Sequence, residues 1–130
     1  MKIVCVIPAW NEAKTIVNVI QDVKKYVDEV IVVDDGSEDK TANLAHSAGA
    51  TVLVHRLNRG QGAALRTGTI YALNHGADII VHFDADGQFT AQDIPKVIAP
   101  IVQGEADIVF GSRFLGAEHN MPPFKKRVVL

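Results

Sequence analysis

Cysteine is almost absent from this 130-residue chain: Cys5 stands alone. A lone cysteine forms no internal disulfide, which excludes a cross-linked secreted scaffold. Its place inside an apolar run marks it as a buried, inert thiol. No apolar run reaches the roughly 18 residues that a membrane span needs. Met1-Lys2 leads straight into a strand-like segment, which is not the layout of a secretory signal. A cytoplasmic domain is the expectation. Neither sign of charge dominates: 13 Lys and Arg against 15 Asp and Glu leave a net charge of -2. That excludes a general polyanion binder, so nucleic acid is not expected as a partner. There is no Gly-Lys-Ser/Thr, hence no P-loop. His46, His55, His75, His82 and His119 show no metal-ligand spacing and read as surface or capped histidines. No Ser-His-Asp order and no Cys-His pair can be argued.

A hydrophobic content of 48% with mixed charge is enough for one domain with one core. Strand-like and helix-like segments alternate strictly. Lys2 to Ile7 is an apolar strand closed by Pro8, and Asn11 can cap a helix to about Tyr26, with Ile16, Val19, Ile20, Val23 and Val27 at helical spacing. Glu29 to Val33 is a second strand. Asp39 or Ser37 caps a helix through Leu44 to Ala48, stopped by Gly49. Thr51 to His55 is a third strand, followed by a loop over Asn58 to Gly62 and a helix over Ala63 to Asn74. Asp78 to Phe83 is a fourth strand. Thr90 caps a helix that ends at Gly104, and Asp107 to Phe110 is a fifth strand. Residues 114–130 lose the pattern. Apolar strands alternating with helices imply a mainly parallel sheet of about five strands, covered on both faces. Ligands bind such sheets beyond the carboxyl ends of the strands.

The most informative strand end is Asp84-Ala85-Asp86-Gly87-Gln88. Residues two apart on a strand share a face, so Asp84 and Asp86 project together. Paired carboxylates repel unless a cation lies between them, and Mg2+ typically takes one or two carboxylates and leaves the rest to water and phosphate. Gln88 adds a neutral oxygen. A solvated turn is the plainer alternative. An EF-hand is excluded because Gly87 stands at loop position four and Pro95 where the bidentate Glu belongs. Gly60-Gln61-Gly62 is part of a dinucleotide fingerprint, but it follows the third strand and Leu65 replaces the last glycine. A receiver domain would carry its acidic pair after the first strand, where this chain has Pro8-Ala9-Trp10.

Five segments stand in order at strand ends: Pro8-Ala9-Trp10-Asn11-Glu12, Val33-Asp34-Asp35-Gly36-Ser37, Asn58-Arg59-Gly60, Asp84 to Gln88, and Gly111-Ser112-Arg113. Together they resemble the motifs of family 2 glycosyltransferases with the GT-A fold, and among these the dolichyl- or polyprenyl-phosphate mannosyl- and glucosyltransferases. The resemblance covers about residues 3 to 113. It implies an α/β, Rossmann-like three-layer sandwich, with residues 1–113 as the nucleotide-sugar-binding core. Residues 114–130 would be the start of an acceptor-side region or a mobile tail, because the relatives continue further. It also implies roles. Pro8, Trp10 and Glu12 match the first nucleotide-contact loop, and Val33 and Asp35 match the base and ribose pocket. Asp84, Ala85 and Asp86 match the Asp-x-Asp element, with Asp86 and Gln88 toward Mg2+ or Mn2+ and Asp84 toward the metal or the ribose. Arg113 matches a basic residue near the reacting phosphate, and Asp86 and Arg113 carry the catalytic expectation.

The implied reaction is inverting transfer of a hexose from a GDP- or UDP-sugar. The Glu-Asp pair that hydroxyl-glycosylating members carry later is absent after residue 113. That favours a polyprenyl-phosphate acceptor, with peripheral association at the cytoplasmic membrane face. The alternatives are a nucleotide-sugar-binding or assembly module without turnover of its own, in a homo-oligomer or with a partner supplying the acceptor side, and a nucleotidyltransferase. The last lacks its Gly-rich basic loop, since Pro8 to Lys14 does not provide one.

Overall fold

The computed structural model describes residues 1–86, 90–104, 108–109 and 128–129. Strand β1 (Ile3–Ala9) is apolar on both faces because both faces are covered. Cys5, Ile7 and Ala9 point to one side of the sheet, and Val4 and Val6 to the other. This period of two is the strand's own geometry. β2 (Glu29–Asp34), β3 (Thr51–Val54), β4 (Ile79–His82), β5 (Ile108–Val109) and β6 (Val128–Val129) complete the sheet. Their order is β3-β2-β1-β4-β6-β5, and every pair is parallel.

The helices form the outer layers. α1 (Ile16–Val23) and α4 (Ile94–Val102, entered through a 3-10 turn at Ala91–Asp93) cover the face of Cys5 and Ile7, with α2 (Thr41–Ser47) beside them. Ile16, Val19, Ile20 and Val23 of α1 are all buried there. Full burial of one such side chain contributes about 1.5–3 kcal/mol. α3 (Gln61–Asn74) lies against the opposite face through the small residues Ala64, Gly68 and Ala72. Four-residue spacing puts these three on one stripe. Gly68 is where the approach is closest: a Cβ there would stand 2.3 Å from Val6 Cγ1 and 3.0 Å from Val33 Cγ2.

The α/β sandwich with a parallel sheet is as expected, and several local features differ, among them the cap of α2, which is Lys40 and neither Asp39 nor Ser37. β1 does not stop before Pro8 but runs through it to Ala9. Asn11 is not a helix cap: its φ is +53°, a region that Asn tolerates better than most residues, and α1 begins only at Ile16. A sixth strand, Val128–Val129, inserts between β4 and β5, within the span read from the sequence as patternless. The Gly111-Ser112-Arg113 segment and residues 114–127 lie outside the described residues. Cys5 is fully buried, and burial pushes its thiol far up, as an inert thiol requires.

Candidate functional site

The site arises from a mismatch in strand lengths. β1 pairs with β2 as far as Ala9↔Asp34, but its pairing with β4 ends at Val6↔His82. Beyond Val6 the sheet splits, and Pro8 projects into the split, where its missing N–H costs no ladder bond. The chain also turns opposite ways from β1, to β2 on one side and β4 on the other. This is the switch point at which parallel α/β sheets hold ligands.

A cavity of about 290 Å³ occupies the crevice. It is lined by Pro8, Ala9, Trp10, Glu12, Asp35, Asn58, Gly60, Gln61, Ala64, Asp84, Ala85 and Asp86. Of the residues expected from the sequence, Pro8, Trp10, Glu12, Asp35, Asp84, Ala85 and Asp86 thus share one cavity. Trp10 is 53% exposed, so it is not a core residue. Val33 is fully buried, packed toward α3, and does not line the cavity. Its position on β2 gives it the same side of the sheet as Ile31. Gln88 and Arg113 lie outside the described residues.

The walls are held by bonds between loops that are distant in sequence. The Asn11 N–H donates to Ser37 Oγ (2.8 Å), and Asn11 Oδ1 accepts from the Glu38 N–H (2.9 Å). The Glu12 N–H donates to Thr41 Oγ1 (3.0 Å). The left-handed turn at Asn11 therefore ties the loop after β1 to the loop after β2. The Thr15 hydroxyl donates to the Ala85 carbonyl, which anchors the acidic turn to the start of α1. Gln61, at the first turn of α3, donates from Nε2 to Asp84 Oδ1 (3.1 Å). Gly36 has φ +78°, and a Cβ there would lie 2.9 Å from the Asn58 nitrogen, so only glycine lets the two loops meet backbone to backbone.

Asp35 is the most constrained acid. It is 3% exposed. Oδ1 accepts from the Arg59 N–H (2.9 Å) and lies 2.8 Å from His55 Nδ1, while Oδ2 accepts from the Gly60 N–H (2.7 Å). Burial alone would raise this carboxyl, but the Arg59 amide, His55 and the Gly60 amide outweigh it and hold the group below its usual value. His55 is itself buried, with Nε2 2.8 Å from Thr67 Oγ1 on α3. His55 is thus not a surface residue but a capped one, with both ring nitrogens bonded inside the fold. The sequence reading missed it, together with Thr67. Asn58 and Gln61 belong to the loop over Asn58 to Gly62 that the strand-end rule gathers, without a role of their own, and the structure puts both in the cavity wall. His55 and Thr67 carry no local signal. His82 bonds Thr69 through Nε2 (2.9 Å), and burial lowers its pKa.

Asp84 and Asp86 stand at the rim. Among the described residues, no three His, Cys, Asp or Glu side chains converge as a closed metal cage. Two carboxylates over an open cavity suit a hard cation that keeps positions for water and phosphate oxygens. Among the described residues, no helix is long and apolar enough to cross a membrane.

Known proteins match this arrangement. A UDP-N-acetylglucosamine–dolichyl-phosphate N-acetylglucosaminyltransferase of Methanococcus voltae is 38% identical over 93% of this chain and 56% of its own length. An undecaprenyl-phosphate mannosyltransferase of Micrococcus luteus is 32% identical over 98% of this chain and 56% of its own. The chain thus spans about half the length of these relatives. Among solved structures, glucosyl-3-phosphoglycerate synthase from Mycobacterium tuberculosis in complex with UDP superposes with a TM-score of 0.71 at 30% identity, over 86% of this chain and 44% of that one. The same synthase has also been solved with Mn2+ and UDP-glucose, and there the TM-score is 0.67 at 29% identity, over 85% of this chain and 44% of that one. The family model described as glycosyl transferase family 2 matches residues 4–127, and with this match over nearly its whole length the chain belongs to that family and has its GT-A fold.

Proposed function

We propose that this chain is the donor-binding core of a metal-dependent, inverting glycosyltransferase that moves a hexose from a nucleotide sugar to a polyprenyl phosphate. One observation carries the reading: a buried, ionised Asp35 and the rim pair Asp84 and Asp86 line the same cavity at the switch point of the sheet. Such a cavity can hold a base or ribose at one end and a diphosphate at the other. The exposed indole of Trp10 offers a flat apolar face with a polar N–H. Asp84 and Asp86 would hold Mg2+ or Mn2+, with Gln88 as a further oxygen ligand. Bound there, the cation supplies Lewis-acid stabilisation of the charge that the departing nucleoside diphosphate acquires.

Arg113, carried over from the family's motif, pairs with a phosphate of donor or acceptor. A phosphate-monoester acceptor is already anionic near neutral pH and needs little help from a general base. The relatives named for transfer to dolichyl and undecaprenyl phosphate support that acceptor class. A lipid acceptor would place the reaction at a membrane surface.

The test is calorimetry of the donor nucleotide with and without Mn2+, on the wild type and on Asp86→Asn. Metal and nucleotide should tighten each other by the same factor in the wild type. Asp86→Asn should keep the fold and lose most of that coupling, because an amide lacks the charge that offsets dehydration of the cation. Equal affinity in all four titrations would reduce the two aspartates to a polar strand end and overturn the reading.

A further inference from the structure

Asp35 faces the cavity with most of its accepting capacity already used. An ionised carboxylate has about four lone-pair positions and can only accept. On Oδ1, two are taken, by the Arg59 amide and by His55. Since the carboxylate cannot donate, the His55 Nδ1 carries the proton between them. On Oδ2, one is taken by the Gly60 amide. The His55 ring cannot swing away easily, because Nε2 is bonded to Thr67 on α3 and the residue is only 9% exposed.

We infer that His55 is a specificity-determining positioning residue: by holding Oδ1 of Asp35 it leaves one acceptor position toward the cavity, so that the pocket takes uridine nucleotides in preference to guanosine nucleotides. The inference rests on the nucleotide-sugar reading above. Guanine presents an N1–H and an N2–H side by side, a fork that matches both oxygens of a carboxylate at once. Uracil presents a single imide N–H between two carbonyls. A carboxylate with a saturated Oδ1 can answer one donor, not two. A guanine at this wall would leave one donor unpaired away from water, and sites reject ligands on that ground. Asn58 lines the same cavity, and its amide can donate to a uracil carbonyl. Adenine and cytosine turn a ring-nitrogen acceptor toward the carboxylate and are disfavoured as well.

The experiment is calorimetry of UDP and of GDP, each with Mn2+, on the wild-type chain, His55→Phe and Thr67→Val. In the wild type, UDP should bind at least about tenfold more tightly than GDP, the ratio that one unpaired buried donor imposes. His55→Phe releases Oδ1, so UDP should weaken and the UDP-to-GDP ratio should fall by at least about threefold. Thr67→Val should shift the ratio the same way by less. A purely structural role for His55 would weaken both nucleotides equally and leave the ratio unchanged, which overturns the inference. Equal or tighter GDP binding to the wild type overturns it too, while the nucleotide-sugar reading stands. Failure of both nucleotides to bind the wild type overturns both. If His55→Phe does not fold, the wild-type ratio and Thr67→Val still decide.

Discussion

Asp35 is nearly sealed from water, and its stability is a matter of donors. Because its folded pKa is depressed, its contribution is present above the ordinary value of 3.8 and is lost as pH falls through the lower folded value. Asp35→Asn keeps the shape but loses the charge and leaves one or more donors unsatisfied. It should lower the unfolding free energy at pH 7 by roughly 3 kcal/mol. The gap between wild type and variant should narrow as pH drops below 3.8, because the wild-type carboxyl is then also neutral. Urea unfolding of both proteins at pH 7 and near pH 3 measures it, and a gap that does not change with pH would mean that the charge is not what the donors hold. Asp35 was legible in the sequence because it stands at a strand end. Its partner His55 was not, because it lies 20 residues from Asp35 and 12 from Thr67, and only folding brings the three together.

Among the elements, α3 decides the shape of the cavity. Gly60 before it and Gln61 and Ala64 in its first turn belong to the wall, and its body reaches the sheet through Gly68. Gly68→Ala gains up to about 1 kcal/mol of helix propensity. It also drives a methyl group into Val6, whose branched side chain has little rotamer freedom. Overpacking of this kind costs about 1–3 kcal/mol, so Gly68→Ala should be destabilising on balance. Gly62→Ala on the same helix meets nothing within 4 Å and should stabilise by up to about 1 kcal/mol. Opposite shifts in urea midpoint are the expected result, and equal shifts would show that α3 does not rest on the sheet at Gly68. The extent of α3 was largely readable, with Ala63 expected and Gln61 observed as its start. The start of α1 was not, because Asn11 looks like a cap in sequence while its side chain is committed to Glu38 across the loop.

For the whole molecule, the site sits where the central strand parts from its neighbour, so ligand binding bridges the β1–β2 and β4 sides of the sheet. A ligand bound only by the folded state at a hundredfold excess over its Kd adds about 2.7 kcal/mol. For a domain of this size that is a rise in Tm on the order of 10 °C. UDP with Mn2+ should therefore raise Tm by more than the sum of the rises with UDP alone and Mn2+ alone. A thermal-shift panel reads this directly. A merely additive response would separate the metal from the nucleotide site.

Composition and period determined the class of this protein. Apolar strands between helices admit few architectures besides a covered parallel sheet, and in that sheet strand ends gather at one edge. Hence Pro8, Trp10, Glu12, Asp35, Asp84, Ala85 and Asp86 could be assigned to one cleft from their positions in the chain. Tertiary structure alone decided that β1 continues through Pro8, since that depends on where β4 stops pairing. It alone turned Val33 inward, and it placed Val128–Val129 between β4 and β5. It also made Asp35 a carboxylate with one position left to offer. Each of these depends on contacts between residues far apart in the chain, and local propensity and periodicity carry no record of such contacts.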